Sequence, residues 1–269
     1  METIVFVGAG SMAEAMIGGI VKQGAMEPKN VFVINKSDDA RLQSLKDKYG
    51  ISTVRANKEA LKKMDLVIFA TKPKDIHQAM ADMLPFLADH TAALSVIAGV
   101  SIQTIEEGLG NRPIARAMPN TSATIGKSAT AVAWNESVES HTKELVLGLL
   151  NAIGMVKEVE EDELHAVTAL SGSGPAYVYY LAEALEEAAT RQGLSKETSR
   201  ALIIQTFEGA AAMMKKIGAE PTELRKHVTS PGGTTEAGIT ALENQSFKEI
   251  IMDCINKAEA RSRELGRLD

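Results

Sequence analysis

Gly8-Ala9-Gly10-Ser11-Met12-Ala13 follows an apolar, β-branched run directly and opens a helical pattern, giving the spacing G-x-G-x-x-A. Each small residue answers a physical demand: Gly8 a tight turn, Gly10 the approach of backbone to a pyrophosphate, Ala13 the close packing of helix on strand. The helix that begins there presents unpaired N–H groups to an anion. Small-residue turns match such a pattern by chance. Its place at residue 8, inside a strand-helix-strand unit that closes at Ile34, selects dinucleotide binding. Sites of this kind usually carry Asp or Glu after the second strand, to accept hydrogen bonds from the ribose 2′-hydroxyl. Here Asn35, Lys36 and Ser37 stand instead. Neutral and basic donors suit a 2′-phosphate, so NADP(H) is favoured and NAD(H) is the alternative. The same residues, with Asp38, also suit a turn and a helix N-cap. Ala70-Thr71-Lys72-Pro73 follows another apolar run, at the carboxyl end of a strand, where open α/β sheets bind ligands. Lys72 is placed to meet cofactor or substrate.

Two further interruptions are rich in Gly, Ser and Thr: Leu170-Ser-Gly-Ser-Gly-Pro-Ala176 and Val228-Thr-Ser-Pro-Gly-Gly-Thr-Thr-Glu-Ala237. Each precedes a helix, and such a run exposes backbone N–H and hydroxyl donors that fit a small carboxylate. Capping and turn chemistry uses the same residues. None of His77, His90, His141, His165 or His227 lies three or four positions from another His, so no His base and no metal site is expected.

These loops need elements to hold them. Thr3–Val7, Val31–Ile34, Leu66–Phe69 and Ala93–Ile97 read as strands buried on both faces, separated by helical patterns at Ala13–Gln23, Asp39–Tyr49 and Lys74–Ala88. The alternation predicts an α/β Rossmann-type parallel sheet. Ile114–Ala117, Ala129–Ala133 and Met155–Val159 are candidates to extend it, with Glu139–Ala152 a further helix. From Glu161 the pattern is helical throughout. We therefore expect an NAD(P)-binding domain over residues 1–160 and an all-helical substrate and dimerisation domain over 161–269. The helix after Pro175, and the next with Leu202-Ile-Ile204 and Gly209-Ala-Ala-Ala-Met-Met214, are apolar on most sides. About 100 residues form too small a core to cover both, which predicts a homodimer. Met213 and Met214 read as core filler.

The 269 residues carry 29 Lys and Arg against 35 Asp and Glu, a net charge of −6, which gives no field for a phosphodiester backbone. Nucleic acid is not an expected partner. No uncharged apolar stretch of about 18 residues occurs, and Glu2 and Glu14 spoil the resemblance of the start to a secretory leader. No membrane partner is expected. The single Cys254 excludes an intrachain disulfide and fits a reducing, cytoplasmic setting.

In order, Gly8-Ala-Gly-Ser-Met12, Asn35-Lys36-Ser37, Ala70-Thr-Lys-Pro73, Arg116-Ala-Met-Pro-Asn-Thr121, Ala169-Leu-Ser-Gly-Ser-Gly-Pro-Ala-Tyr177 and Val228-Thr-Ser-Pro-Gly-Gly-Thr-Thr235 resemble pyrroline-5-carboxylate reductase over nearly the whole chain. The resemblance implies reduction of the cyclic imine Δ1-pyrroline-5-carboxylate to L-proline by NAD(P)H, the last step of proline synthesis. It also implies a homodimer, with dimers in some members assembling into rings, and an active site in the cleft between the domains. By motif match, Ser230, Gly232, Gly233, Thr234 and Thr235 bind the substrate carboxylate, and Thr235 is catalytic, nearest the ring nitrogen. Gly8, Ala9, Gly10, Ser11, Met12, Asn35, Lys36, Ser37, Asn57, Ala70, Thr71, Lys72, Met118, Pro119 and Asn120 line the cofactor. The position of Lys36 is often Arg in the family. Lysine keeps the charge and loses the planar fork that matches phosphate, so the preference for NADP should be weaker than usual.

Dehydrogenases of the 3-hydroxyacid type share this plan and usually carry a catalytic Lys early in the second domain. Ser171–Leu185 contains none. A non-catalytic NADP-binding regulator would have no need of the Ser230–Thr235 loop.

Overall fold

The structure is a computed structural model that describes residues 2–53 and 58–266. An eight-stranded sheet is built from β1 (Ile4–Val7), β2 (Val31–Ile34), β3 (Ser52–Thr53), β4 (Leu66–Phe69), β5 (Ala92–Ser95), β6 (Ile114–Met118), β7 (Ser128–Trp134) and β8 (Gly154–Glu158), in the order β3-β2-β1-β4-β5-β6-β7-β8. β1 lies near the centre, fully in register with β2 on one side and β4 on the other. Both β1 and β4 are buried along their whole length, as strands sandwiched by two helical layers must be. Alternation divides the core: Ile4 and Phe6 face the layer of α1 (Ser11–Lys22), α2 (Asp39–Tyr49) and α5 (Ser140–Asn151). Val5 and Val7 face α3 (Ile76–Met83) and α4 (Ile102–Leu109).

The expected sheet is present with one difference. β6 and β7 pair antiparallel. Only residues 119–127 join them, folded in part as a 3-10 turn at Thr121–Ile125, and a parallel return needs a crossover of a dozen residues or more. The helix expected over Lys74–Ala88 is shorter. It is regular only at Ile76–Met83, flanked by 3-10 turns at Pro73–Asp75 and Leu84–Phe86, because Pro85 has no N–H to continue the ladder. α4 is not among the expected helices, although Ser101 caps it and Ile102, Ile105 and Leu109 lie on one face; the two-residue β3 is too short for a periodicity argument.

The rest of the described chain is helical: α6 (Glu163–Val167), a π-helical turn at Thr168–Gly172, α7 (Gly174–Arg191), α8 (Lys196–Ile217), α9 (Pro221–His227), α10 (Thr234–Asn244) and α11 (Phe247–Leu265). By packing, the chain forms two compact units, one of residues Met1–Pro175 with Lys257–Asp269, the other of Ala176–Asn256. The end of α11 is fastened within the first unit, where Arg263 forks onto Asp162 at 2.6 and 2.9 Å and Ser262 Oγ meets His165 Nδ1 at 3.0 Å. Burial and the neighbouring charges of Arg116 and Arg263 lower the pKa of His165.

The second unit leaves much of its apolar surface open. No residue of α7 is buried, and Tyr179, Tyr180, Leu202, Ile204, Ile250 and Met252 are all more than half exposed. Met213 and Met214, expected as core filler, are about half exposed at 50% and 46%. They add to the apolar surface that this unit leaves open.

Candidate active site

The strand order changes direction between β1 and β4, and open α/β sheets bind ligands outside the carboxyl ends of their strands at such a point. A cleft of about 820 Å³ opens there. Of the residues expected at the cofactor, Gly8, Ala9, Gly10, Asn35, Lys36, Ser37, Ala70, Thr71 and Lys72 all line it.

The glycine loop is shaped by its neighbours. Gly8 has φ +109°, and a Cβ built there would stand 2.6 Å from the Ala70 carbonyl oxygen, so no side chain fits. Its N–H donates to Ile34 O at 2.9 Å, while Ala70 N–H donates to Val7 O at 2.9 Å. The ends of β1, β2 and β4 are thereby stitched together under the loop. Gly10 is the N-cap of α1, no side chain caps the helix, and a Cβ on Gly10 would meet nothing within 4 Å. The N–H groups of Ser11, Met12 and Ala13 have no backbone partner among the described residues. Beside them the Thr71 hydroxyl is buried without a hydrogen-bond partner. Open amides, open space and an orphaned hydroxyl fit a phosphorylated dinucleotide.

Beyond β2, Asn35 Oδ1 accepts from Lys36 N–H at 2.8 Å, and Asp38 caps α2 by accepting from Arg41 N–H at 2.8 Å. The turn and cap expected here therefore form, while the side chains of Lys36 and Ser37 remain at the cleft edge. Arg41 also lines the cleft and escaped the sequence reading. Its Nε donates to the Ala9 carbonyl at 2.9 Å and its Nη2 to Glu14. Those partners lie 32 and 27 positions away, and no local pattern announces them. Glu14 further accepts from Lys48 at 2.9 Å and from the Tyr49 hydroxyl at 3.1 Å. The bonds from Lys48 and Arg41 bring its pKa from 4.5 down to about 2.

The second loop sits before α10. Gly232 adopts φ +74°, and Gly233 N–H turns back to Ser230 O at 3.0 Å. Gly233 is the N-cap of α10 and receives no side-chain bond. Thr234 and Thr235 open the helix, exposed, with backbone N–H groups that have no backbone partner among the described residues. Glu236 was not foreseen: its Oε2 accepts from Gly232 N–H at 2.7 Å. An acid at the third helical position is half of a capping box, legible in the sequence as Gly233-Thr-Thr-Glu236; Gly233 has no side chain to supply the other half, and Glu236 reaches one residue further back, to Gly232. The other interruption behaves differently. There the Ser171 hydroxyl donates back to Val167 O at 3.2 Å, within the helical turn that precedes α7.

Residues 161–265 match the family model described as pyrroline-5-carboxylate reductase dimerisation, and residues 3–99 match that of NADP oxidoreductase, coenzyme F420-dependent. Pyrroline-5-carboxylate reductase 2 of Bacillus subtilis is 46% identical over 98% of this chain and 95% of its own. The chain belongs to the pyrroline-5-carboxylate reductase family. A solved pyrroline-5-carboxylate reductase from Coxiella burnetii superposes with a TM-score of 0.91 at 37% identity, covering 98% of each chain. One from Plasmodium falciparum, with NADP bound, gives 0.87 at 30% identity, again over 98% of each.

Not every residue marked by the pyrroline-5-carboxylate reductase motifs lies in the cleft. Ser11 is exposed at the first turn of α1, and Met12 packs against the core. Met118, Pro119 and Asn120 are buried at the end of β6 and do not line the cleft. Asn120 is held by three bonds: its N–H donates to Ser128 Oγ, its Nδ2 to Ser171 O, and its Oδ1 accepts from Ser122 N–H, each at 3.0 Å. It ties β6, β7 and the π-helical turn together. Asn57 lies outside the described residues.

Proposed function

We propose that this member of the pyrroline-5-carboxylate reductase family reduces Δ1-pyrroline-5-carboxylate to L-proline with NADPH, by hydride transfer to the imine carbon. Identity to such reductases over 98% of the chain is the observation that carries this reading. The intact Ser230–Thr235 loop supports it. The nicotinamide, when bound, supplies the hydride. The protein's task is to hold an already electrophilic, protonated imine in line with it, and proximity with orientation lowers such a barrier by several kcal/mol.

In the glycine loop, the open amides of Ser11, Met12 and Ala13 receive the diphosphate and the Thr71 hydroxyl finds its missing partner. Asn35, Lys36 and Ser37 receive the 2′-phosphate, with NADP preferred over NAD. The substrate carboxylate is held by the N–H groups of Thr234 and Thr235, since those of Gly232 and Gly233 are already engaged within the loop. The Thr235 hydroxyl accepts a hydrogen bond from the protonated ring nitrogen and fixes the face that the hydride attacks.

The open apolar faces of α7, α8 and α11 are covered by a second copy, in a homodimer, in the cytoplasm. The reading is tested by following NADPH oxidation by purified protein given pyrroline-5-carboxylate, with proline identified as product and NADH run in parallel. No imine-dependent oxidation, with NADPH still bound, would overturn the substrate assignment.

A further inference from the structure

The N-terminal turn of α1 contains a contradiction. This is where the diphosphate must arrive, yet Glu14 stands in that turn and is fully ionised at neutral pH, its pKa lying at about 2. A carboxylate there favours the bare helix and opposes a bound anion. The fold surrounds it with cations drawn from α2: Arg41 Nη2 and Lys48 Nζ both donate to Glu14, and the Tyr49 hydroxyl adds a third bond. One negative charge faces two positive ones. Arg41 does more than neutralise, because its Nε donates to the carbonyl of Ala9, in the middle of the glycine loop. That bond holds a carbonyl dipole that would otherwise be free to turn toward the phosphates. Both Ala9 and Arg41 line the cofactor cleft.

We infer that Arg41 is a positioning residue for the cofactor diphosphate: by gripping Ala9 and masking Glu14 it sets the shape and sign of the glycine loop, and it does so for NADPH and NADH alike. The alternative for a guanidinium in this cleft is direct contact with the 2′-phosphate, which would serve NADPH alone. Geometry favours the positioning role. One forked edge of the guanidinium, Nε with Nη2, is already turned onto Ala9 and Glu14 within the protein, so that edge does not present its paired donors to a phosphate.

This inference rests on the cofactor assignment of the cleft. The test measures dissociation constants of NADPH and NADH for the wild-type protein, Arg41→Met, Glu14→Gln and the double variant, each checked for a cooperative thermal transition. Arg41→Met should bind both cofactors about 10-fold more weakly, and adding Glu14→Gln should restore most of that loss for both. Such rescue follows from masking a charge and not from general loosening of the fold. Glu14→Gln alone, which keeps Arg41 on Ala9, should bind both at least as tightly as wild type. This arm decides the matter if Arg41→Met does not fold. A loss confined to NADPH, an Arg41→Met protein equal to wild type, a double variant no tighter than Arg41→Met, or a weakened Glu14→Gln would each overturn the inference. Failure of wild-type protein to bind either cofactor would instead overturn the assignment of the cleft.

Discussion

The two glycine-rich loops have similar composition and owe their shapes to different causes. The Gly8–Ala13 loop is moulded by residues distant in sequence: the Ala70 backbone leaves no room for a side chain at Gly8, Ile34 accepts its N–H, and Arg41 grips Ala9. The Ser230–Thr235 loop is shaped from within, by Gly233 N–H on Ser230 O and Gly232 N–H on Glu236. A Cβ on Gly232 would meet nothing within 4 Å. Both present uncapped helix amides. Damage to the first should therefore spread into the fold, and damage to the second should stay in the chemistry.

Gly8→Ala tests the first half of that contrast most severely. With φ at +109° and backbone 2.6 Å from the new methyl, neither a rotamer change nor a side-chain shift relieves the clash, and β1 and β4 must part. We expect a loss of about 3 kcal/mol in urea unfolding, with NADPH binding abolished. A stability within about 0.5 kcal/mol of the parent would show that the loop is not moulded by β4. Thr235→Ala tests the second half. Turnover should fall about 100-fold while unfolding and NADPH affinity stay unchanged, because Thr235 is exposed at the start of α10. An unchanged turnover removes Thr235 from the mechanism.

Two smaller effects probe the edges of the first loop. Lys36→Glu, at the rim of the cleft and outside the moulded part, should cut kcat/KM about 10-fold with NADPH and leave NADH nearly unaffected. An equal loss with both cofactors would place the 2′-phosphate elsewhere. Glu14 gives a pH signature. Its pKa falls from 4.5 to about 2 on folding, so its contribution to stability is complete above pH 4.5 and is lost as the pH drops toward 2. Comparing urea midpoints of wild type and Glu14→Gln across that window should show wild type ahead by about 1 kcal/mol at neutral pH, the gap closing on acidification. A gap independent of pH would mean that the Glu14 ion pairs contribute nothing to it.

The same contrast explains what the sequence disclosed. Strands buried on both faces announce themselves as unbroken β-branched runs, and a glycine fingerprint is local, so β1, β2, β4 and the Gly8–Ala13 turn were legible. The helical character of the chain beyond Glu161, which includes α8 and α11, was legible as well. The antiparallel pairing of β7 was not, because strand direction depends on the connection and not on the strand. Arg41 and Glu14 are each unremarkable in their own helices, and their partnership exists only once α1 and α2 pack. Asn120 matched a motif and also joins β6, β7 and the π-helical turn, a structural part that residue type alone does not announce. Glu236 was legible in principle, because the second loop's constraints are written within a few residues.

Glu236 also yields the smallest and most discriminating prediction. Its carboxylate stabilises the loop by accepting from Gly232 N–H at 2.7 Å, yet it places a negative charge beside the amides assigned to a substrate carboxylate. The two effects oppose each other and separate by substitution. Glu236→Gln keeps an acceptor oxygen for Gly232 and removes the charge, so KM for the imine acid should fall about 3-fold. Glu236→Ala removes both, and the freed Gly232, exposed and in the left-handed region, should let the loop relax and raise KM by a similar factor, about 3-fold. Neither should move the unfolding midpoint if the second loop is shaped only from within. A shift in stability as large as that expected for Gly8→Ala would erase the contrast, and equal changes in KM from both variants would leave charge, and not loop shape, as the sole contribution of Glu236.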